Sequence, residues 1–215
     1  MAEEKKPPIF GHHLGFWYPL VWRILASNKF WSPSMWLPRD SALAIDIYIG
    51  IWWLFEIVTV VLCGKVFHWQ GLLTKCFVLM VLFRFIDLMF VLTSILVRGN
   101  YRRVGDWPSL NRITLLVLFN SFEIMFIFAI LYRACGVLFS EIAGTIPILN
   151  SFFDALYFSI VTGTTLGYGI PHPVGYLSRI LSMIEGTSII LLVIAVISYI
   201  TGGKRKPEDR EHKLE

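Results

Sequence analysis

Charge is what this chain has least of. Only 16% of its 215 residues are Asp, Glu, Lys or Arg, while 56% are hydrophobic and 15% aromatic. Soluble domains carry about a quarter charged residues, so the shortage excludes a soluble globule and points to an integral membrane protein. Cysteine is scarce as well. Cys63, Cys76 and Cys135 have neither metal-ligand nor paired spacing and read as small buried hydrophobes, not as a disulfide framework. The basic residues never form a stripe among polar ones, which removes nucleic acid as a partner. The opening "MAEEKKPPIFGHH" lacks an apolar core after its lysines, so no cleaved signal peptide is expected and the first span serves as its own targeting signal. No nucleotide loop, metal cluster or nucleophile–base pair is present, so there is no catalytic residue and no cofactor to expect.

Long apolar runs are what the chain has in their place. Four are long enough to cross a hydrocarbon core, which takes about 20 apolar residues in a helix, at 43–64, 72–97, 113–136 and 175–201. Between the last two lies an apolar run from Phe152 to Val161, too short to span and suited to a re-entrant helix. Asn150 or Ser151 can cap it, and Asp154 sits in its first turn, where a carboxylate complements the helix N-terminus. Basic residues gather before span one (Lys5, Lys6, Arg23, Lys29, Arg39), between spans two and three (Arg98, Arg102, Arg103, Arg112) and in the tail (Lys204, Arg205, Lys206, Arg210, Lys213). The bias of such residues to cytoplasmic loops predicts that both termini face the cytoplasm of a cell whose plasma membrane holds the chain, and that the re-entrant segment opens outward. Residues 14–38, with four tryptophans, read as an aromatic helix in the cytoplasmic interface.

The re-entrant helix runs into "TGTTLGYGIPHP". Irregular backbone is tolerated at membrane depth only where protein buries it or where it lines a water-filled path. Gly167 and Gly169 alternate with Leu166 and Tyr168, and glycine's access to positive φ lets such alternation turn successive carbonyls the same way. A column of carbonyl oxygens with the Thr165 hydroxyl can then replace the water shell of a dehydrated cation without any side-chain charge.

Residues 151–169, "SFFDALYFSIVTGTTLGYG", resemble the pore helix and selectivity filter of tetrameric potassium channels, whose signature is T-x-x-T-x-G-Y-G. The resemblance covers about 50 residues and implies an all-α membrane protein: four transmembrane helices per subunit, one re-entrant pore helix and filter loop between the third and fourth, and assembly as a homotetramer. It implies K+ as the permeant and only bound ion, with Thr165, Leu166, Gly167, Tyr168 and Gly169 as the filter. Thr162 and Thr164 would stand at the filter entrance, and Tyr157 and Phe158 in an aromatic cuff supporting the pore helix. The chain then divides into an N-terminal segment (1–42), two spans with a basic loop (43–112), a pore domain (113–203) and a charged tail (204–215). Two positions depart from the family pattern. Ile170 stands where an acidic residue usually follows GYG, and Val161 where some members have a pore-helix glutamate, so a carboxylate clamp of the usual form cannot be built.

Intramembrane charge marks function by default. Arg84 and Asp87, at i and i+3 on span two, can face each other or a partner such as Glu56 on span one or Glu123 on span three, and the four are read as one intramembrane charge network. The bland reading, a neutralised network, is preferred, because a voltage sensor needs several arginines repeating along one helix. Steep voltage gating is therefore not expected. Glu185 and Gly186 on span four are gate or hinge candidates; Glu185 either lines the cavity or turns back to bond the pore helix, and the second is favoured. His172 reads as a solvated turn residue or a proton sensor. Arg102, Arg103, Lys204, Arg205 and Lys206 can meet anionic lipid at the cytoplasmic face. Two rival functions remain: a potassium-transporter subunit, which usually needs four such loops in one chain, and a non-conducting or weakly selective regulatory subunit.

Overall fold

The computed structural model describes residues 33, 42–65, 72–98, 110–135, 138–141, 144–147, 151–167 and 172–202. The N-terminal aromatic segment apart from residue 33, the basic loop between spans two and three, and the charged tail lie outside these residues, as do Tyr168, Gly169 and Ile170. Four long helices carry the chain across the bilayer: α1 (Ala42–Lys65), α2 (Leu72–Arg98), α3 (Leu110–Ala134) and α5 (Tyr176–Gly202), with the short α4 (Phe152–Gly163) before the last. Each long helix contains a span of 20 to 22 residues that is long and apolar enough to cross a membrane. The cause is composition on all faces. A helix satisfies its own backbone in lipid, and apolar side chains all round leave no polar face to seek water.

α3 is the hub. Half of its apolar window is buried within the chain, against 22% for each of the other three spans. From Ile127 to Tyr132 every residue is buried. Aromatic rings fasten it to its neighbours: Phe128 meets Phe85 of α2 at 5.2 Å, Phe126 meets Trp53 of α1 at 5.5 Å, and Tyr132 meets Phe158 of α4 at 5.1 Å. Such ring pairs contribute about 0.5–1.5 kcal/mol beyond their area. In a bilayer, where lipid is as apolar as leucine, this packing is what holds helices together. The other sides stay apolar and open. Leu43, Ile47, Ile51 and Leu54 make an exposed stripe along α1, and Ile180, Met183, Ile190 and Ile197 one along α5, as surfaces facing lipid or another subunit require.

A small sheet adds to the all-α plan. β1 (Leu138–Glu141), β2 (Gly144–Pro147) and β3 (His172–Pro173) form an antiparallel sheet in the order β2-β1-β3. β1 pairs β2 from Leu138 opposite Pro147 to Glu141 opposite Gly144, and pairs β3 through Ser140 opposite His172 and Phe139 opposite Pro173. Pro173, which has no donor, sits on an edge strand, where it is tolerated. His172 is thus held in a strand, not a free turn. The cysteines also differ from expectation. Cys63 is buried, but Cys76, on α2, and Cys135, in the turn just beyond α3, are exposed free thiols.

Candidate functional site

α4 is built as a rigid, well-capped rod. Of the two capping residues expected, Ser151 takes the role: its hydroxyl accepts from the Asp154 N–H at 3.1 Å, and Asp154 accepts from the Ser151 N–H at 2.8 Å. This reciprocal box satisfies two otherwise orphaned donors. Ala155, Phe158, Ser159 and Gly163 make the buried face. Gly163 is fixed by space, since a Cβ there would meet Met125 Cε at 3.0 Å and Cγ at 3.2 Å. Of the two cuff residues, Phe158 turns inward against Tyr132, whereas Tyr157 is about half exposed on the outer side.

The far end of α4 sets up the loop. The Leu166 N–H reaches back to the Val161 carbonyl at 3.1 Å and the Thr165 N–H to the Thr162 carbonyl at 3.1 Å, the paired bonds of a Schellman motif. Thr164 is the C-cap, and both its N–H and its hydroxyl bond the Ile160 carbonyl, at 2.9 and 2.6 Å. The residue after the cap must then be left-handed, a place usually taken by glycine. Here it is Thr165, at φ +58°. Gly167 follows at φ +60°, while Leu166 between them is not left-handed. A Cβ at Gly167 would come no closer than 3.9 Å to any neighbouring atom, so φ and not space demands glycine there. Alternation of hand is therefore present, but it begins at a β-branched residue, where positive φ is costly.

This geometry orders the carbonyls. Those of Ile160, Val161 and Thr162 are occupied within the helix end, so Thr162 contributes a carbonyl to the cap and not to the loop. Thr164, Thr165, Leu166 and Gly167 are exposed in the single chain. The loop is anchored on both sides: by the Schellman bonds before it, and by pairing of β3 with β1 after it. The α4 C-terminus also directs its partial negative charge at the loop, where a cation is favoured.

Behind the loop, Glu185 of α5 turns toward α4 and not away from it. Its carboxyl group contacts the Ser159 hydroxyl and, at 2.6 Å, the Tyr132 hydroxyl; all three residues are buried. Ser159 also donates to the Met125 carbonyl at 2.7 Å. Gly186 has open space where a Cβ would stand, so no packing within one chain requires glycine there. Ser159, Tyr132 and Met125 were not anticipated. A single serine inside "LYFSIVTG" is the only sequence trace of this cluster.

The intramembrane charges form a second cluster. Arg84 donates to Glu123 through Nε at 2.6 Å and Nη2 at 3.1 Å, and to Asp87 through Nη1 at 3.0 Å. Tyr48 donates to Asp87 at 2.8 Å, and the guanidinium lies 5.0 Å from the Tyr48 ring and 5.6 Å from the Trp52 ring. Glu56 was expected to join this network. It is fully buried and close enough to feel the charges of Arg84 and Glu123, yet neither carboxyl oxygen has a hydrogen-bond partner. Among the described residues no group of three or more His, Cys, Asp or Glu side chains could hold a metal ion.

Residues 118–202 match the model of a family described as Ion channel. A voltage-gated potassium channel of Aeropyrum pernix is 36% identical over 72 residues, which is 32% of this chain and 24% of that protein. The chain therefore aligns with about a quarter of that relative's length. No solved structure matches. The family match covers α5, α4 and most of α3, and both comparisons support the likeness to potassium-channel pores read from the sequence; both are with proteins of transport, not of catalysis. α1 and α2 lie outside the family match.

Proposed function

We propose that the ion-channel unit at residues 118–202 conducts potassium passively and selectively, four chains forming one pore with their 164–169 loops around a common axis. The observation that carries this reading is the alternating hand of Thr165 and Gly167 directly beyond a capped, C-terminally directed α4. Alternation aims successive carbonyls to one side, and carbonyl oxygens can substitute for a cation's hydration shell. One loop supplies only one wall of such a site, so closure requires rotational symmetry. The four-fold number comes from the family resemblance. Both termini are placed in the cytoplasm by the basic residues of the terminal segments and the 98–112 loop. Steep voltage gating is not part of the proposal. Arg84, buried in α2, is tied to two acids, and a sensor needs several arginines in series.

The test is the reversal potential of purified protein in a planar bilayer with potassium on one side and sodium on the other. Selectivity shifts it by about 59 mV for each tenfold permeability ratio of a monovalent ion. Current that reverses near zero refutes selectivity, and absence of current across lipid compositions favours a regulatory subunit.

A further inference from the structure

The contacts around Glu185 do not have enough hydrogens for an ionised carboxylate. Ser159, Tyr132 and Ser182 each own one hydroxyl hydrogen. That of Ser182 goes to the Ser178 carbonyl at 2.9 Å. The Ser159 oxygen stands 2.7 Å from the Met125 carbonyl oxygen, a separation that needs a hydrogen between them, and only the serine can provide it. The same Ser159 oxygen also meets Oε1 of Glu185. If Glu185 were a carboxylate, that second contact would set lone pairs against lone pairs. Tyr132 gives its hydrogen to Oε2 at 2.6 Å, and the remaining contact, Tyr132 to Ser182 at 3.2 Å, is the longest and weakest of the set. One extra hydrogen on the carboxyl group completes every short contact.

Surroundings agree with the count. Glu185 has no exposed surface, and a buried carboxylate without a basic partner is costly. Tyr132 on α3 is the titratable group that faces it, and Ser159 is its partner on α4. On α2, which also packs against α5, Arg84 and Asp87 are tied to Glu123 and to each other.

We propose that Glu185 is a neutral carboxylic acid, a proton-binding site in the inner helix that donates to Ser159, accepts from Tyr132, and so positions α4 and the loop it carries. It deepens the pore reading and rests on it: Ser159 is six residues before Thr165, and through the Met125 carbonyl it fixes the depth of α4 against α3. Loss of the proton would turn the Ser159 hydrogen toward the carboxylate and release the bond to Met125.

Glutamine reproduces the pattern of the acid, an amide N–H for Ser159 and a carbonyl for Tyr132, so the discriminating variants are Glu185→Gln and Glu185→Ala in the full chain, reconstituted in bilayers. Glu185→Gln is expected to keep the wild-type potassium-to-sodium permeability ratio, while Glu185→Ala loses at least tenfold. A Gln variant that falls as far as the Ala variant, or an Ala variant with wild-type selectivity, overturns the proposal. If Glu185→Ala does not assemble, Ser159→Ala takes its place: reduced selectivity is expected, and an unchanged ratio overturns the proposal. Difference infrared spectra between wild type and Glu185→Gln read the proton directly. A protonated-carboxyl carbonyl band in the wild type supports the assignment, and its absence refutes it even if no potassium current is ever seen, an outcome that would count against the pore reading alone.

Discussion

Thr165 occupies a backbone position made for glycine, and replacing it separates two roles that the side chain combines. A left-handed residue with a Cβ costs roughly 1–2 kcal/mol, and the β-branch at φ +58° places threonine toward the upper end. Glycine removes that cost but gives up about 0.5–1 kcal/mol through the greater freedom of its unfolded chain. Both Schellman bonds are made by main-chain atoms and survive the change. Thr165→Gly is therefore expected to stabilise each chain by about 1 kcal/mol, and the proposed ring of four, if its loops act independently, by about 4 kcal/mol. It also deletes a hydroxyl from the proposed pathway, so selectivity should fall as stability rises. Thr165→Ala keeps the Cβ but loses the hydroxyl and the branch; it should lose selectivity while gaining less stability than glycine. Thr165→Ser keeps the hydroxyl and drops the branch, so it should stay selective. Thermal melting of the assembled protein in detergent reads the first quantity, and the two-ion reversal potential reads the second. A Thr165→Gly protein that melts below wild type would refute the argument, since it would mean that residue 165 is not held left-handed or that its side chain makes contacts outweighing the strain.

Three further changes probe the supports of the loop. Arg84→Met strands Glu123 and Asp87 in the interior and should cost about 3–5 kcal/mol, seen as loss of assembled protein in size-exclusion chromatography; the triple change with Glu123→Gln and Asp87→Asn should recover most of it. Glu56→Met removes a fully buried group with no hydrogen-bond partner and should raise the melting temperature, by the equivalent of about 1–3 kcal/mol; a lower melting temperature would show that Glu56 has a partner in the assembled protein. Gly163→Val forces two methyl groups toward Met125, already 3.0 Å from an ideal Cβ, and should destabilise by about 1–3 kcal/mol, whereas the same change at Gly186, where a Cβ meets nothing within 4 Å, should leave the fold of a single chain unharmed.

The spans were legible because a run of about 20 apolar residues admits few other structures; span three begins at Leu110 and not 113, and the rest lie within a residue or so of expectation. α4 was legible from its short run and from Asp154 three residues after Ser151. The sheet was not. Its strands are four, four and two residues long, too short for alternation to register, and β3 pairs with residues more than thirty positions earlier. Left-handed backbone at Thr165 was missed because glycine is the sequence cue for positive φ, and here the helix-end bonds impose it on a threonine. Of the two acids the sequence offered Arg84 on neighbouring spans, Glu123 takes the hydrogen bonds and Glu56 stands beside them without one, a choice made by helix packing that depth along a span does not encode.

Both buried clusters meet on α3. Glu123 binds the α2 arginine, and nine residues later Tyr132 binds the α5 glutamate; at 1.5 Å per residue the two points are about 14 Å apart along one helix. Between them runs the most completely buried stretch of the chain, Ile124 to Tyr132, in which only Phe126 is partly exposed. A segment packed on every side transmits displacement, because interiors are close-packed and deform little. α2 touches α5 as well as α3, so a displacement of α5 loads both the Arg84 bonds to α3 and the Tyr132 bond to Glu185. In the proposed pore α2 would thus brace α5 through the ion-paired Arg84, and weakening that arginine is expected to alter opening before it alters selectivity.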